Sequence, residues 1–225
     1  MNIIAIDTST AYCSLALWQN GTISDQDTYV GQRHSELLLP MLQTLLDEAA
    51  LSLSQIDGIA YGAGPGAFTG LRIACGVAQG LAFSHDIPVV GIITLEALAQ
   101  QVNMPKVIAA LDARMGELYF AAYTRIDQGW LTVHTPMLID PASVPAVEGE
   151  EWVACGSGFD VYAAALADRY GNQLLKIVPD LHPRAREIAY LAVDKFLRGE
   201  GVAAEHALPV YLRDKVALKE SERGR

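Results

Sequence analysis

The first thirty residues carry the hydrophobic pattern of three short strands. Residues 2–7 form an apolar run that ends at Asp7, which is typical of a buried strand. Two further strand-like segments, 12–18 and 22–29, flank Asn20-Gly21. This dipeptide favours a tight hairpin, because type I′ turns need positive φ at both central positions. The chain is therefore predicted to open with three strands in an antiparallel meander.

The following segments alternate between helix and strand. Apolar residues recur at three- and four-residue spacing over 35–50, which predicts an amphipathic helix. Pro40 is expected to kink the first turns of this helix or to delay its start. The other predicted elements are a strand at 56–61, a helix at 69–83, a strand at 88–92 and a helix at 94–101. The order β-β-β-α-β-α-β-α predicts a ribonuclease H-like, or actin-like, module.

The second half repeats this plan in a shorter form. Its predicted elements are strands at 107–111, 117–123, 130–138 and 152–155, helices at about 160–170 and 184–197, and an extended segment at 208–213. We therefore predict an α/β protein of two ribonuclease H-like modules (the actin-like ATPase, or ASKHA, fold), with the second module reduced. Residues 1–103 would form the first module, with partner-binding helices, and 104–213 the second, whose final helix could pack back on the first. A flexible tail is predicted at 214–225.

Charge limits the kinds of partner that the chain can bind. Its 225 residues have a mean hydropathy of +0.21 and a net charge of −10, as expected for a core-rich globular protein. Residues 1–100 contain two basic side chains against nine acidic ones. Binding to a phosphate backbone needs clustered lysine and arginine. If the protein acts on a nucleic acid, we expect a more basic partner subunit to make the contact.

Cysteine usage and the N-terminus indicate a cellular compartment. The three cysteines are widely spaced and form no CxxC, which predicts buried free thiols in a reducing cytosol. The first residues lack the basic region of a signal peptide. No apolar run approaches the roughly 20 residues of a membrane span. We expect a cytoplasmic protein without membrane contact.

Two acidic turns and a glycine-rich loop are candidate nucleotide contacts. In actin-like ATPases a carboxylate at the position of Asp7 holds the metal-nucleotide, and Asp112 mirrors it in the second half. Either carboxylate could instead satisfy backbone groups at a polar turn. The glycines of 62–70 could cradle an anion at a helix start or simply allow a tight turn, and the loop lacks the lysine of a Walker A site. The candidate vestigial nucleotide-facing residues are Asp7, Thr8, Gly64, Gly66 and Asp112.

The predicted helix 69–83 is apolar on nearly every side. Only Arg72 and Gln79 are strongly polar, so the helix is either fully internal or covered by its own sheet on one side and a partner on the other. Gly76 and Gly80 would let a partner helix come close, and the leucine-rich helix 35–50 could flank the same patch. Together the two helices would form half of a four-helix interface. The candidate interface residues are His34, Leu38, Met41, Leu42, Leu45, Arg72, Ala74, Cys75, Ala78 and Gln79.

The five histidines are scattered and form no HxxH, HxxxH or HExxH motif. They are expected at the surface or at helix ends. No metal site is predicted from them, and neither a Cys-His pair nor a Ser-His-Asp triad can be argued from the spacing. We therefore predict no catalytic residue.

Several stretches together resemble the TsaB family, also called YeaZ. They are Asp7–Thr10, Cys13–Leu17, Arg33–Pro40, Tyr61–Ala74, Leu111–Tyr119 and Pro209–Arg213, so the resemblance runs from residue 1 to about 213. This family is similar to the catalytic subunit TsaD, which carries a His-Met-Glu-Gly-His metal motif after its fifth strand. Thr94 and Leu98 stand here at the two histidine positions. Since neither side chain replaces an imidazole ligand, the resemblance implies a non-catalytic subunit.

The resemblance also implies partners and a process. Proteins of this family form a heterodimer with TsaD, homodimerise when TsaD is absent, and recruit the ATPase TsaE. TsaD then transfers a threonylcarbamoyl group to N6 of adenosine 37 in ANN-decoding tRNAs, so tRNA contact would be indirect. The helices at 35–50 and 69–83 are the association surface of the family. No cofactor is expected, although weak or vestigial nucleotide binding is possible.

Two other functions remain as alternatives. An actin-like ATPase or small-molecule kinase would hold a magnesium-nucleotide between Asp7 and Asp112. A peptidase is disfavoured, because the sequence shows no nucleophile-base pair and no metal triad.

Overall fold

The computed structural model describes residues 1–213 except Gln128. The tail predicted at 214–225 lies outside the described residues. The first half contains β1 (Asn2–Asp7), β2 (Tyr12–Gln19), β3 (Thr22–Tyr29), α1 (His34–Glu48), β4 (Gly58–Gly64), α2 (Phe68–Phe83), β5 (Val89–Ile93) and α3 (Thr94–Val102). The second half contains β6 (Lys106–Arg114), β7 (Glu117–Ile126), β8 (Gly129–Ile139), β9 (Trp152–Cys155), α4 (Ser157–Val161), α5 (Ala163–Tyr170), β10 (Leu174–Val178) and α6 (Ala185–Leu197). Short 3-10 turns occur at Leu53–Gln55, Pro141–Ser143 and Ala204–His206.

The first sheet has the strand order β3-β2-β1-β4-β5. Strand β1 pairs antiparallel with β2 and parallel with β4, so the predicted meander and crossovers are present. Helix α1 begins at His34, and Pro40 lies inside it without delaying its start. Pro40 is exposed, so its ring lies toward solvent and the helix loses only one backbone donor.

The second sheet repeats the order of the first as β10-β9-β6-β7-β8. Its reduction lies in the helices, because α4 has 5 residues and α5 has 8. Strand β10 was not predicted from the sequence. Its residues Leu-Leu-Lys-Ile-Val are half-buried or exposed and show no clear alternation of polar and apolar positions.

The two sheets are stacked with helices between and outside them. Helices α1 and α2 cover the outer face of the first sheet, and α4 and α5 cover the outer face of the second. Between the sheets, α6 packs on the first sheet and α3 on the second, and the two helices contact each other. Each half of the chain therefore supplies a helix to the other half's sheet. The predicted boundaries at residues 103 and 213 stay a prediction.

Two sequence expectations about the chain's environment can be compared with the structure. Cys13, Cys75 and Cys155 are free thiols and all three are buried, as predicted. Among the described residues, every helix is too short or too polar to cross a membrane.

Candidate functional site

The carboxyl group at the end of β1 is shielded from solvent. Asp7 is 0% exposed, and its Oδ1 accepts hydrogen bonds from the backbone N of Ser9 at 3.0 Å and from Ser9 Oγ at 2.8 Å. Its Oδ2 has no hydrogen-bond partner in the described part of the chain. Burial raises the pKa of Asp7 to about 7, and the two hydrogen bonds from Ser9 oppose this rise more strongly than the charge of His182 does. The carboxyl group therefore faces the protein interior.

Glycines of the segment 62–70 allow the chain to pack closely around Asp7 and Thr8. A Cβ at Gly62 would overlap Oδ2 of Asp7, and a Cβ at Gly70 would overlap the carbonyl oxygen of Thr8. The Thr8 hydroxyl in turn donates to the Gly70 carbonyl at 2.7 Å. At these two positions glycine allows the loop to lie directly against the turn after β1. Gly62 and Gly70 therefore serve close packing, and the cradling of an anion by this segment stays a prediction.

A cleft of about 920 Å³ lies between the modules. Ser9, Thr10 and the start of α2 line one side, and the β6–β7 turn lines the other. Asp112 lines this cleft, but its carboxylate is already engaged. Arg114 Nη1 lies 3.1 Å from Asp112 Oδ2, and the Tyr162 hydroxyl donates to Oδ1 at 3.2 Å. An exposed arginine of the same turn thus pairs with the one candidate carboxylate that reaches the cleft.

The structure brings only two of the five predicted nucleotide-facing residues to this cleft. Gly66 and Asp112 line it. Asp7, Thr8 and Gly64 are buried within the protein, and the carbonyl of Val210 lies directly over Gly64. This corrects the prediction for these three residues, because strand-end position alone does not show which side of the turn faces solvent. Weak nucleotide binding stays a prediction.

The β6–β7 turn depends on a residue that the sequence reasoning did not single out. Arg114 and Met115 have positive φ values of 62° and 58°, a conformation that costs a non-glycine residue roughly 1 kcal/mol or more. Arg213 Nη2 donates to the carbonyls of Ala113 at 3.0 Å and Arg114 at 3.3 Å. It also lies 2.9 Å from Glu117 Oε2. The feature that indicates this role of Arg213 is the positive φ of Arg114 and Met115, which is visible only in the three-dimensional structure.

Most of the predicted interface residues pack inside the chain. Seven of the ten are at most 6% exposed and belong to the core or its edge: His34, Leu38, Leu42, Leu45, Ala74, Cys75 and Ala78. The structure therefore places these seven side chains mainly in the chain's own packing, and their part in a partner interface stays a prediction. Periodicity identifies the apolar sides of a helix. It does not say which of two apolar sides faces the helix's own sheet.

Polar atoms of α2 hold the C-terminal segment instead of facing outward. Gln79 Nε2 and Cys75 Sγ both donate to the carbonyl of Ala207, at 2.9 and 3.3 Å. Arg72 Nε donates to the Tyr211 hydroxyl at 2.9 Å, and the Arg72 guanidinium lies 3.8 Å from the centre of the Phe68 ring. Arg72 and Gln79, two of the three remaining candidates, are therefore intramolecular anchors. Met41 is half-buried beside α2.

A different set of residues forms the open side of these helices. Gly76 and Gly80 are exposed, and an added Cβ at either would meet no atom of the described chain within 4 Å. Half-buried apolar side chains surround the two glycines. We call this surface the α1–α2 face; it consists of Leu37, Met41, Ile73, Gly76, Val77, Gly80 and Leu81. It is apolar, and its glycines leave room for another helix at short distance.

Comparison with known proteins agrees with this architecture. A family model described as "TsaD: tRNA N6-adenosine threonylcarbamoyltransferase" matches residues 27–221. The Escherichia coli K12 protein named "tRNA threonylcarbamoyladenosine biosynthesis protein TsaB" is 40% identical, over 97% of both chains. The chain belongs to the TsaB family. A TsaB of the same description from Haemophilus influenzae is 32% identical, over 97% of this chain and 96% of its own.

The fold of the TsaB family is also found among solved structures. The structure described as "YeaZ from Pseudomonas aeruginosa" superposes with a TM-score of 0.84 at 38% identity, covering 94% of this chain and 99% of that one. The predicted resemblance and the two-module ribonuclease H-like fold are confirmed.

The position of the TsaD metal motif is part of the core in this TsaB-family chain. Thr94 and Leu98 are both 0% exposed, and the Thr94 hydroxyl donates to the carbonyl of Pro65. Within residues 1–213, leaving aside Gln128, no group of three or more His, Cys, Asp or Glu side chains is placed to hold a metal ion. Here a hydroxyl that pins α3 to the glycine-rich loop stands where the motif places its first histidine.

Proposed function

We propose that this chain is a non-catalytic cytoplasmic subunit that binds and activates a TsaD-family threonylcarbamoyltransferase. The enzyme would modify adenosine 37 of ANN-decoding tRNAs, and this chain would contribute the docking surface. The observation that carries the proposal is the α1–α2 face, an apolar surface with two open glycines on a chain that belongs to the TsaB family.

The composition of this face suits a helical partner. Apolar patches on a soluble protein are commonly interaction sites, because leaving them in water is unfavourable. Leu39 and Phe83, at the margins of the two helices, are also exposed, at 52% and 76%. Two helices of a partner could pack across α1 and α2 with interaxial distances of about 8–10 Å, the shorter end of which needs small residues at the contact. A four-helix interface would result.

The same face accounts for the other predicted associations. A second copy of the chain presents an identical face, so a two-fold homodimer could form when TsaD is absent. The excess of acidic residues in 1–100 disfavours direct tRNA binding, which we assign to the complex as a whole. The ATPase TsaE would join that complex.

The state of the cleft supports a non-catalytic subunit over an ATPase or kinase. Asp7 is sealed beneath Gly62, and Asp112 is paired with Arg114. Both contacts disfavour a metal-nucleotide held between the two carboxylates, and the burial of Asp7 is the stronger of the two.

The proposal can be tested with one exposed substitution. Gly76→Arg places a long charged side chain in the middle of the α1–α2 face, at a position where the chain's own atoms leave space. We expect a folded protein that no longer forms a 1:1 complex with TsaD of the same organism in size-exclusion chromatography with light scattering. Threonylcarbamoyl transfer to tRNA by the mixture should fall to the level of TsaD alone.

Ala164→Arg is the matched control, because Ala164 is an exposed helical residue of α5 on the outer side of the second module. It should pair and support transfer normally. Unchanged complex formation by Gly76→Arg would contradict the location of the face, and wild-type chain that leaves TsaD unbound would contradict the function itself.

A further inference from the structure

We propose that residues 207–213, which we call the strap, act as a latch between the α1–α2 face and the β6–β7 turn at the cleft. When a partner docks on the face, the strap transmits the shift of α2 and changes the conformation of the turn. The identity of the docked partner rests on the proposed function above. The intramolecular coupling does not, because it follows from contacts within this chain.

Two residues of the strap, Ala207 and Tyr211, are held by side chains of α2. The Ala207 carbonyl accepts from both Gln79 and Cys75, and the Tyr211 hydroxyl accepts from Arg72. These α2 residues lie on successive turns of one side of the helix, so they hold the strap along about two turns.

The middle of the strap is fastened to β4. The backbone N of Val210 donates to the Ala63 carbonyl at 2.7 Å, and the Tyr61 hydroxyl donates to the Leu208 carbonyl at 2.9 Å. The strap therefore cannot slide along α2 without breaking hydrogen bonds to the first sheet.

The far end of the strap reaches the other module. The Arg213 side chain is only 13% exposed, pairs with Glu117, and donates to the carbonyls of Ala113 and Arg114. A guanidinium holds carbonyls and a carboxylate together well, because it presents several donors in a fixed plane. These carbonyls belong to the turn whose residues have unfavourable positive φ values, so Arg213 stabilises that conformation of the cleft wall.

The docking face and the residues that hold the strap lie on the same helix, α2. Arg72, Cys75 and Gln79 each neighbour a residue of the α1–α2 face, namely Ile73, Gly76 and Gly80. Since α2 moves as a rigid element, a partner that shifts it on the open side also shifts the anchors of the strap. The short strap then transmits the shift to the turn, as expected of contiguous packed elements.

Hydrogen exchange measured by mass spectrometry on the full chain tests the latch. Arg213→Gln removes the ion pair with Glu117 and should raise exchange of the 113–117 amides about tenfold. Gln79→Leu, which removes a donor at the opposite end of the strap, should raise exchange of the same amides about threefold. Arg186→Gln is the control, because it breaks a comparable ion pair with Asp25 away from the strap and should leave the turn unchanged.

Exchange at the turn that responds to Arg213→Gln but not to Gln79→Leu would overturn the latch, because the strap would then be a local support only. A turn that responds to neither variant would overturn it as well.

The partner is tested separately by adding TsaD of the same organism. We expect the exchange rate of the 113–117 amides to change on complex formation in the wild type and to change less than half as much in Arg213→Gln. A complex that forms without any response at the turn would overturn the latch and leave the proposed function standing. If no complex forms, the proposed function fails, and the exchange results of the isolated variants still decide the coupling.

Discussion

Asp7 in the first module and Asp112 in the second occupy matching places in two sheets of the same strand order. Each lies near the end of the first strand of its module, opposite Ser14 and Leu118 of the antiparallel neighbour. Their surroundings differ completely. Gly62 lies against the Asp7 carboxyl group, which accepts hydrogen bonds from Ser9 alone among the described residues. The Asp112 side chain is 10% exposed and contacts Arg114 and Tyr162.

This difference shows that matching positions of two similar sheets can have unlike surroundings. A metal-nucleotide held across the cleft would need both carboxylates ionised and open to it. In the first module close packing has turned the carboxylate inward and raised its pKa. In the second, an exposed arginine from the same turn pairs with the carboxylate. The same strand order therefore places like residues in unlike chemical environments.

The largest effect that sharpens this comparison is the pH dependence caused by Asp7. Its folded pKa of about 7 lies above the unfolded value of 3.8, so the folded protein keeps a proton that the unfolded chain releases. The free energy of unfolding should therefore fall as pH rises from about 4 to about 7, by at most about 4 kcal/mol. Asp7→Asn should remove this fall.

Urea unfolding of the wild type and of Asp7→Asn at pH 5 and pH 8 measures the effect. Asp112→Asn serves as the control and should keep the pH dependence of the wild type. Equal pH dependence in wild type and Asp7→Asn would show that Asp7 is not the group responsible.

The next largest effect should come from breaking the seal itself. Gly62→Ala places a methyl group against the Asp7 carboxyl and should lower the free energy of unfolding by about 3 kcal/mol. The loss should be smaller in an Asp7→Ala background, where the methyl group can enter the vacated space. A double-mutant cycle by urea unfolding checks this, and additive losses would argue against direct contact.

A glycine on the open side of α2 should respond in the opposite direction. Gly76→Ala adds a methyl group where the described chain leaves space, inside an exposed helix, and should stabilise the isolated chain by about 1 kcal/mol. The same change should weaken binding to TsaD, because it fills the space left for a partner helix. Thermal unfolding and titration calorimetry measure the two effects. A gain in stability with unchanged affinity would place the partner elsewhere.

The smallest effect should come from the second carboxylate. Asp112→Asn removes the pairing with Arg114, whose side chain is 87% exposed and therefore strongly screened by solvent. We expect a loss below about 1 kcal/mol that shrinks further at high salt. Urea unfolding at two salt concentrations checks it. A loss as large as that of Gly62→Ala would mean that the two turns are more alike than their contacts indicate.

Local patterns predicted much of this molecule. Asn20-Gly21 lies between β2 and β3 as expected, and the order of strands and helices along the first half of the chain is the predicted one. Strand β10 was not predicted, because an edge strand that is largely exposed needs no regular alternation of polar and apolar residues. The TsaB family could be read from contiguous stretches such as Tyr61–Ala74, because a family resemblance is carried by the order of residues along the chain.

The sequence by itself determined the fold class, the family and the presence of a helix that is apolar on more than one side. Only the tertiary structure decided which side of α2 is free: Ala74 and Ala78 face the core, while Gly76 and Gly80 face outward. It also decided that Asp7 is sealed and that Arg213 reaches the β6–β7 turn from 96 or more residues away. Periodicity and propensity are properties of neighbouring residues, whereas burial, charge pairing and the direction of a side chain depend on distant segments that only the folded chain brings together.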